Sequence, residues 1–220
     1  MTPCEFISTS TVVAAPPLVP EIILHLATEV TPLWQATEVE LDRHNLPPPY
    51  WAFAWPGGQA VSRYVLDNPA LVRDRRVLDF AAGSGVIAIA ARQAGAASVV
   101  AVEIDAYAAA VIAMNATLNG AAFPDGGIKV RCEDLVGDAL DGIDVVLAGD
   151  VCYERPMAER VTAWFRALAG AGKTVIIGDP GRSYLPGDGL CELARYVVPT
   201  SLDLEDRVSR ETRVLRIAAA

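Results

Sequence analysis

The run Val77–Ala90, VLDFAAGSGVIAIA, decides how the rest of the chain is read. An apolar segment carries an acid near its end, Asp79, passes into a turn of small residues, and re-enters an apolar, alanine-rich run. The pattern predicts a strand, a tight loop and a helix. Small side chains in the loop let the backbone approach a ligand, and the first unpaired N–H groups of the helix then point at that ligand. Such a turn binds nucleotides. Gly83-Ser84-Gly85-Val86-Ile87-Ala88 satisfies G-x-G-x-x-G/A, the dinucleotide fingerprint, a weak signal when it stands alone. Asp79 speaks against that reading, because four residues before Gly83 a dinucleotide fold is usually still in apolar strand.

Outward from this stretch the alternation continues. Strands are predicted over Arg76–Phe80, Ser98–Glu103, Ile128–Cys132, Ile143–Gly149 and Thr174–Ile177, and helices over Ser84–Ala94, Ala106–Asn119 and Pro156–Ala169. Apolar β-branched strands separated by alanine-rich helices predict an α/β fold, a Rossmann-like, mostly parallel sheet with helices on both faces. After Asp179-Pro180-Gly181 the pattern predicts a short helix near Gly189–Leu193, a strand near Arg195–Ser201 and a final strand Thr212–Ile217. The last two form an antiparallel hairpin across the charged Asp203–Arg210 segment. On the other side, residues 1–19 are expected to be poorly ordered, and residues 20–220 to form one domain. Within it, residues 20–68 supply N-terminal helices and an aromatic segment, and residues 76–220 the sheet. The helices are predicted over Pro20–Glu29, where Ile22, Ile23 and Leu26 recur at helical spacing, and over Gln59–Asn68, with a short helical or irregular piece at Pro32–Glu38. His44–Gly58, HNLPPPYWAFAWPGG, has four prolines and four aromatics, which forbid a continuous helix and make a platform.

At 220 residues the chain is long enough to bury a full core. Its net charge of −9, from 27 acids against 18 bases, weighs against a nucleic-acid partner and is compatible with a basic protein. The four cysteines are scattered and there are two histidines, so neither a disulfide framework nor a metal site is expected. The longest uncharged run, Ala106–Pro124, contains Asn115, Asn119 and Gly120 and reads as a buried helix with its exit loop, not a membrane span. The first twenty residues carry one charge, Glu5, and lack the basic start of a signal or transit peptide. A cytoplasmic, monomeric protein is the expectation.

The sequence D-F-A-A-G-S-G resembles the S-adenosylmethionine (SAM) methyltransferase loop D/E-x-G-x-G-x-G, with Ala81 in place of the first glycine. Asp79, Ala81, Ala82, Gly83 and Gly85 are therefore candidate cofactor-binding positions. Glu103 ends the second strand twenty residues after Gly83, where a carboxylate can accept hydrogen bonds from both ribose hydroxyls of NAD or SAM alike. Asp105 reads as a helix cap. Asp134, after the third strand, can face an adenine amino group, with Glu133 competing for the role. The fourth strand ends in Gly149-Asp150-Val151-Cys152-Tyr153. Here Asp150 can hold an amine nitrogen by a charge-assisted hydrogen bond while Tyr153 walls the channel. The amine must be neutral to attack, since an ammonium has no lone pair. Trp55 can close over a sulfonium by cation–π contact, with core packing as the alternative. His25 reads as a packing or surface residue, and Arg182 and Tyr184, near the same edge, as residues that could meet substrate, with a loop role without chemistry as the preferred reading.

DFAAGSG, AVEID and GDVCY together resemble the seven-strand, class I SAM-dependent methyltransferases, and an acid-x-x-Tyr after the fourth strand marks the family-16 protein lysine methyltransferases. PEIILHLA, PPPYWAFAWPGGQAVSRYVLDNP, LAGDVCYE and GDPGRSYLP are similar to the lysine methyltransferases of the electron transfer flavoprotein beta subunit and their bacterial relatives. The resemblance runs from about Pro20 to the C-terminus. It implies an antiparallel strand inserted beside the fifth, SAM as donor, and lysines of a folded protein as acceptors. It assigns Trp55, the Ala81-Ala82-Gly83 backbone, Glu103 and the Gly149 backbone to SAM, and Asp150 with Tyr153 to the lysine. Two positions depart from the family pattern, Ala81 for glycine and Glu103 for the commoner aspartate. A SAM-dependent methyltransferase of another protein or of a small molecule is the alternative reading, and an NAD-linked oxidoreductase and a non-catalytic, methyltransferase-like binding protein are the further rivals.

Overall fold

The computed structural model describes residues 2–27, 48–124, 126–200 and 205–219. Its frame is a seven-stranded sheet: β3 (Arg76–Phe80), β4 (Ser98–Glu103), β5 (Ile128–Cys132), β6 (Val145–Gly149), β7 (Thr174–Asp179), β8 (Leu190–Pro199) and β9 (Ser209–Ile217). Spatially they run β5-β4-β3-β6-β7-β9-β8. The first five are parallel, and β9 enters antiparallel between β7 and β8. The expected hairpin and reversed last strand are both present.

Because side chains alternate across a strand, the apolar strands feed two cores. Val145 and Leu147 of β6 and Ile176 of β7 join one core. It also holds Val61 and Val65 of helix α2 (Pro56–Asp67), most of α3 (Val86–Gln93), and Ile112 and Ala116 of α4 (Ala106–Leu118). Val146, Ala148, Val175 and Ile177 turn to the other face, where α5 (Arg155–Gly170) contributes Ala158, Val161, Trp164, Phe165 and Leu168. Helices therefore cover both faces, as the pattern predicts.

Three expectations differ from the structure. Residues 1–19, read as a poorly ordered segment, contain regular elements: α1 (Pro3–Ser10) starts on a capping box in which the Thr2 hydroxyl and the Glu5 carboxylate satisfy each other's backbone N–H groups, and β1 (Val12–Ala14) follows. Pro20–Glu29 is not a helix in its described part. Leu24–Leu26 forms β2, paired antiparallel with β1. The carboxamides of Asn119, the C-cap of α4, and of Asn115 within it take the Ile23 and His25 N–H groups at 3.1 and 2.8 Å, so tertiary partners replace the helical ladder. The short helix near Gly189–Leu193 is instead the start of β8, which pairs with β9 through a register shift between Glu192 and Ala194. The pieces predicted at Pro32–Glu38 and at the start of His44–Gly58 lie outside the described residues. None of the described helices is long and apolar enough to cross a membrane.

Candidate active site

The loops after β3, β4, β5 and β6 gather at one edge of the sheet, the carboxyl edge, where open α/β sheets hold ligands. They surround a cavity of about 820 Å³ with apolar walls that include Phe80, Val102, Ile104, Ala108, Val136 and Met157. Tyr50, Trp51 and Trp55, from the described part of the proline-rich aromatic segment, close one side. Trp51 is buried and stacked on Tyr107 at 6.4 Å, and the Trp55 indole N–H donates to the Tyr50 carbonyl at 2.8 Å. Tyr50 and Trp51, which were not singled out from sequence, carry no motif; only the aromatic density of the segment pointed to them.

Of the expected cofactor positions, Trp55, Ala81, Gly83, Glu103, Asp134 and Gly149 line this cavity. Glu103, at the end of β4, spans the mouth of the β3 loop. Its Oε1 accepts from the Gly83 N–H at 2.8 Å and its Oε2 from the Ile104 N–H at 3.0 Å, leaving lone pairs on both oxygens. Burial raises its carboxyl above the usual range. Ala81 adopts φ +52°, the left-handed region that favours glycine, so the alanine costs about 1–2 kcal/mol of backbone strain. Asp134 accepts from the Val136 N–H at 2.9 Å and from Arg160 at 2.7 Å, and both interactions hold it below its ordinary value. Its neighbour Glu133 also lines the cavity and is paired with Arg131.

Three expected cofactor positions stand behind the wall. Asp79 is fully buried, and its Oδ2 accepts the Ala88 N–H of α3 at 2.9 Å, so its direct role is to tie the helix start to the strand. Ala82 is buried with its N–H donated to the Val102 carbonyl at 3.1 Å. Gly85 is the N-cap of α3 at φ +78°, where an added Cβ would meet Ile112 at 3.0 Å. Its glycine is required by helix packing.

Asp150 follows β6 at φ +55° and is only 7% exposed. The Gly57 N–H, in the first turn of α2, donates to its Oδ2 at 2.5 Å. On the other oxygen, Arg182 donates Nε–H at 3.0 Å and Nη2–H at 2.7 Å to Oδ1. Burial pushes the Asp150 carboxyl up to about 6 against the opposing pull of Arg182. Tyr153 stands beside it on the cavity wall, 41% exposed, with its ring 5.7 Å from that of Tyr50, and burial raises its phenol. Arg182, read from sequence as a loop residue, is thus a direct partner of Asp150. Its position after the fifth strand and its place in the GDPGRSYLP stretch were the signals that pointed to it. His25 stays away from the cavity and meets Thr11 at 3.1 Å, in keeping with a packing role. Among the described residues no cluster of His, Cys, Asp and Glu could hold a metal ion.

The residues fit a nucleoside-bearing cofactor. The cavity has the volume of a small-molecule site and apolar walls for a base. Glu103 offers paired acceptors to a diol, and Asp79 keeps one buried carboxylate oxygen, Oδ1, without a protein partner behind the loop. Apart from its own chain neighbours, no atom of the described residues lies within 4 Å of a Cβ placed on Gly83, so that wall is open.

Sheet order, reversed last strand and a cavity at the strand carboxyl ends define a class I, seven-strand methyltransferase. In agreement, residues 60–150 match the family described as ribosomal protein L11 methyltransferase (PrmA). The solved magnesium protoporphyrin IX methyltransferase of Synechocystis PCC 6803, with bound SAM, shares the fold at a TM-score of 0.52 and 20% identity, over 74% of this chain and 78% of that one. More specifically, the electron transfer flavoprotein beta subunit lysine methyltransferase of Danio rerio is 37% identical over 205 residues, 91% of this chain and 77% of the relative. The Homo sapiens protein of the same name is 38% identical over 187 residues, 84% of this chain and 68% of the relative. The chain belongs to this family of lysine methyltransferases, which sets aside the oxidoreductase reading.

Proposed function

We propose that this chain is a SAM-dependent protein-lysine N-methyltransferase whose substrate is the electron transfer flavoprotein beta subunit. The observation that carries the reading is Asp150 and Tyr153 on the wall of the cavity that Glu103 and Gly83 also line, in a chain of this family. Bound SAM supplies a sulfonium methyl group, an electrophile that needs neither metal nor covalent intermediate.

The chain's own residues do the rest. Glu103 holds the ribose hydroxyls, Asp134 lies where the adenine amino group would be met, and Trp55 offers a π face to the sulfonium. Asp150, fixed by Gly57 and Arg182, accepts a hydrogen bond from the lysine nitrogen and aligns its lone pair. Tyr153 and Tyr50 form the apolar collar around the lysine stem and exclude water from the attacking nitrogen.

The test is incubation of the purified chain with the beta subunit and isotope-labelled SAM, read by mass spectrometry of the subunit's lysines. Label on lysine that disappears with Asp150→Asn supports the reading. An unlabelled subunit, or transfer by Asp150→Asn at the wild-type rate, overturns it.

A further inference from the structure

Arg182 belongs to none of the motifs that identify the cofactor half of the protein, yet it is the most heavily held side chain at the site. Beyond its two hydrogen bonds to Asp150 Oδ1, its Nη2 and Nη1 donate to Oε1 and Oε2 of Glu205 at 2.6 and 3.2 Å. Glu205 is 3% exposed and is gripped in turn by Arg210, whose Nε donates to Oε2 at 2.9 Å and Nη2 to the Glu205 carbonyl at 3.0 Å. The Arg182 backbone N–H is anchored on Asp179 Oδ1 at 2.7 Å, and its guanidinium lies 5.7 Å from the Trp55 ring. A side chain so braced does not swing away when a substrate arrives.

Its charge alters what Asp150 can bind. An isolated buried carboxylate would draw the acceptor in as its ammonium, the form without a lone pair. With Asp150, Arg182, Glu205 and Arg210 all ionised, the four charges cancel. A second cation against Asp150 then gains little, whereas a neutral amine still finds acceptor capacity on Oδ2, which takes only the Gly57 N–H.

Among the described residues no other group that faces Asp150 could replace this cation. α2 presents a backbone N–H, and Asp179 at the end of β7 is a further acid, with Arg213 of β9 acting on it. On Asp150's own segment, burial pushes the Cys152 thiol up to about 12 and raises the Tyr153 phenol, so both are uncharged at neutral pH.

We propose that Arg182, braced by Glu205, is a positioning residue that fixes the ionised Asp150 carboxylate and sets a compensating positive charge beside the acceptor nitrogen, so that the site takes lysine as the neutral amine. The proposal deepens the lysine methyltransferase reading and rests on it for the identity of the acceptor.

The experiment compares Arg182→Met and Arg182→Lys with the wild-type chain in two ways. First, the Asp150 carboxyl is titrated by carbon-13 NMR, its resonance assigned with Asp150→Asn. Its midpoint is expected to rise by about one pH unit or more in Arg182→Met and to stay within about half a unit in Arg182→Lys. Second, methyl transfer to the beta subunit is followed against pH. In Arg182→Met the acidic limb is expected to move up with the carboxyl, kcat to fall about tenfold or more at neutral pH, and SAM affinity to change less than about threefold. An Arg182→Met carboxyl midpoint and pH profile that coincide with wild type overturn the proposal. Should Arg182→Met fail to fold, Arg182→Lys decides, since it keeps the charge but not the fork: lowered kcat with an unmoved profile supports positioning, and wild-type kcat overturns it. If the wild-type chain transfers nothing to the beta subunit, the substrate reading fails, while the carboxyl titration still decides the role of Arg182.

Discussion

The Glu103 carboxylate at the end of β4 holds the Gly83 backbone N–H at 2.8 Å, so the acid that faces the cavity also shapes the loop of the neighbouring strand. Removing it costs both functions. Glu103→Ala is expected to weaken SAM binding by about tenfold to a hundredfold, the worth of one or two hydrogen bonds to a charged group. Calorimetric titration checks it, and affinity within a factor of two of wild type would count against the ribose role.

Gly57 is where α2 comes closest to the strand ends. A Cβ there would stand 2.4 Å from Asp150 Oδ2 and 2.3 Å from the Gly178 carbonyl oxygen. Gly57→Ala is therefore expected to cost about 1–3 kcal/mol of stability by overpacking, and to displace the carboxylate that meets the lysine. Methyl transfer should drop far more than SAM affinity, measured side by side with thermal unfolding.

The raised Asp150 carboxyl sets two opposite pH dependences. Its value of about 6 in the folded chain stands above the ordinary 3.8, so between these pH values the folded state binds more protons than the unfolded state. Stability from this group is then greatest at low pH and is lost as pH rises through about 6. Asp150→Asn, which mimics the protonated form, should be more stable than wild type by roughly 2–3 kcal/mol at pH 8, with the difference fading toward pH 4. Activity runs the other way: transfer should rise as pH passes about 6 and be abolished in Asp150→Asn. Denaturant unfolding at several pH values and an initial-rate profile test the pair. A stability difference that does not depend on pH would refute the linkage.

The left-handed Ala81 invites a stabilising change. Ala81→Gly relieves backbone strain of about 1–2 kcal/mol but adds unfolded-state entropy of about 0.4–1 kcal/mol, so the net change should lie between neutral and about 1.6 kcal/mol stabilising. SAM affinity should be unaffected. Gly83→Ala, at φ +54° with a methyl group entering space clear of described atoms beyond its chain neighbours, should weaken SAM instead. Calorimetry on the two variants separates the positions.

Much of the site is local in sequence and was readable for that reason. A strand ending in Asp79, a loop of small residues and a carboxylate twenty positions on are fixed by chain geometry within one β–α–β unit, so Gly83 and Glu103 had to meet. The same holds for Asp150 and Tyr153, which share the turn after β6. Asp79, Ala82 and Gly85 are not among the residues lining the cavity; motif positions that build the loop and motif positions that face the cavity look alike in sequence. Packing separates them: Asp79 and Ala82 spend their groups on Ala88 and Val102. The β2 segment was misread because helical spacing of apolar residues says nothing about Asn115 and Asn119, some ninety positions away, which take its N–H groups.

The amino-acid pattern by itself determined the alternating α/β architecture, the terminal antiparallel hairpin, the edge of the sheet that carries the chemistry, and the acids that stand there; the reversed strand beside the fifth was implied by the family resemblance. Those features depend on periodicity and short-range geometry, which a linear sequence carries. Only the tertiary structure decided how Asp150 is held. Its partners Gly57 and Arg182 lie 93 and 32 positions away, on α2 and in the loop after β7, and Glu205, which holds Arg182, comes from the β8–β9 connection. Charge balance in a buried site is a property of which side chains converge there, and no local pattern records it.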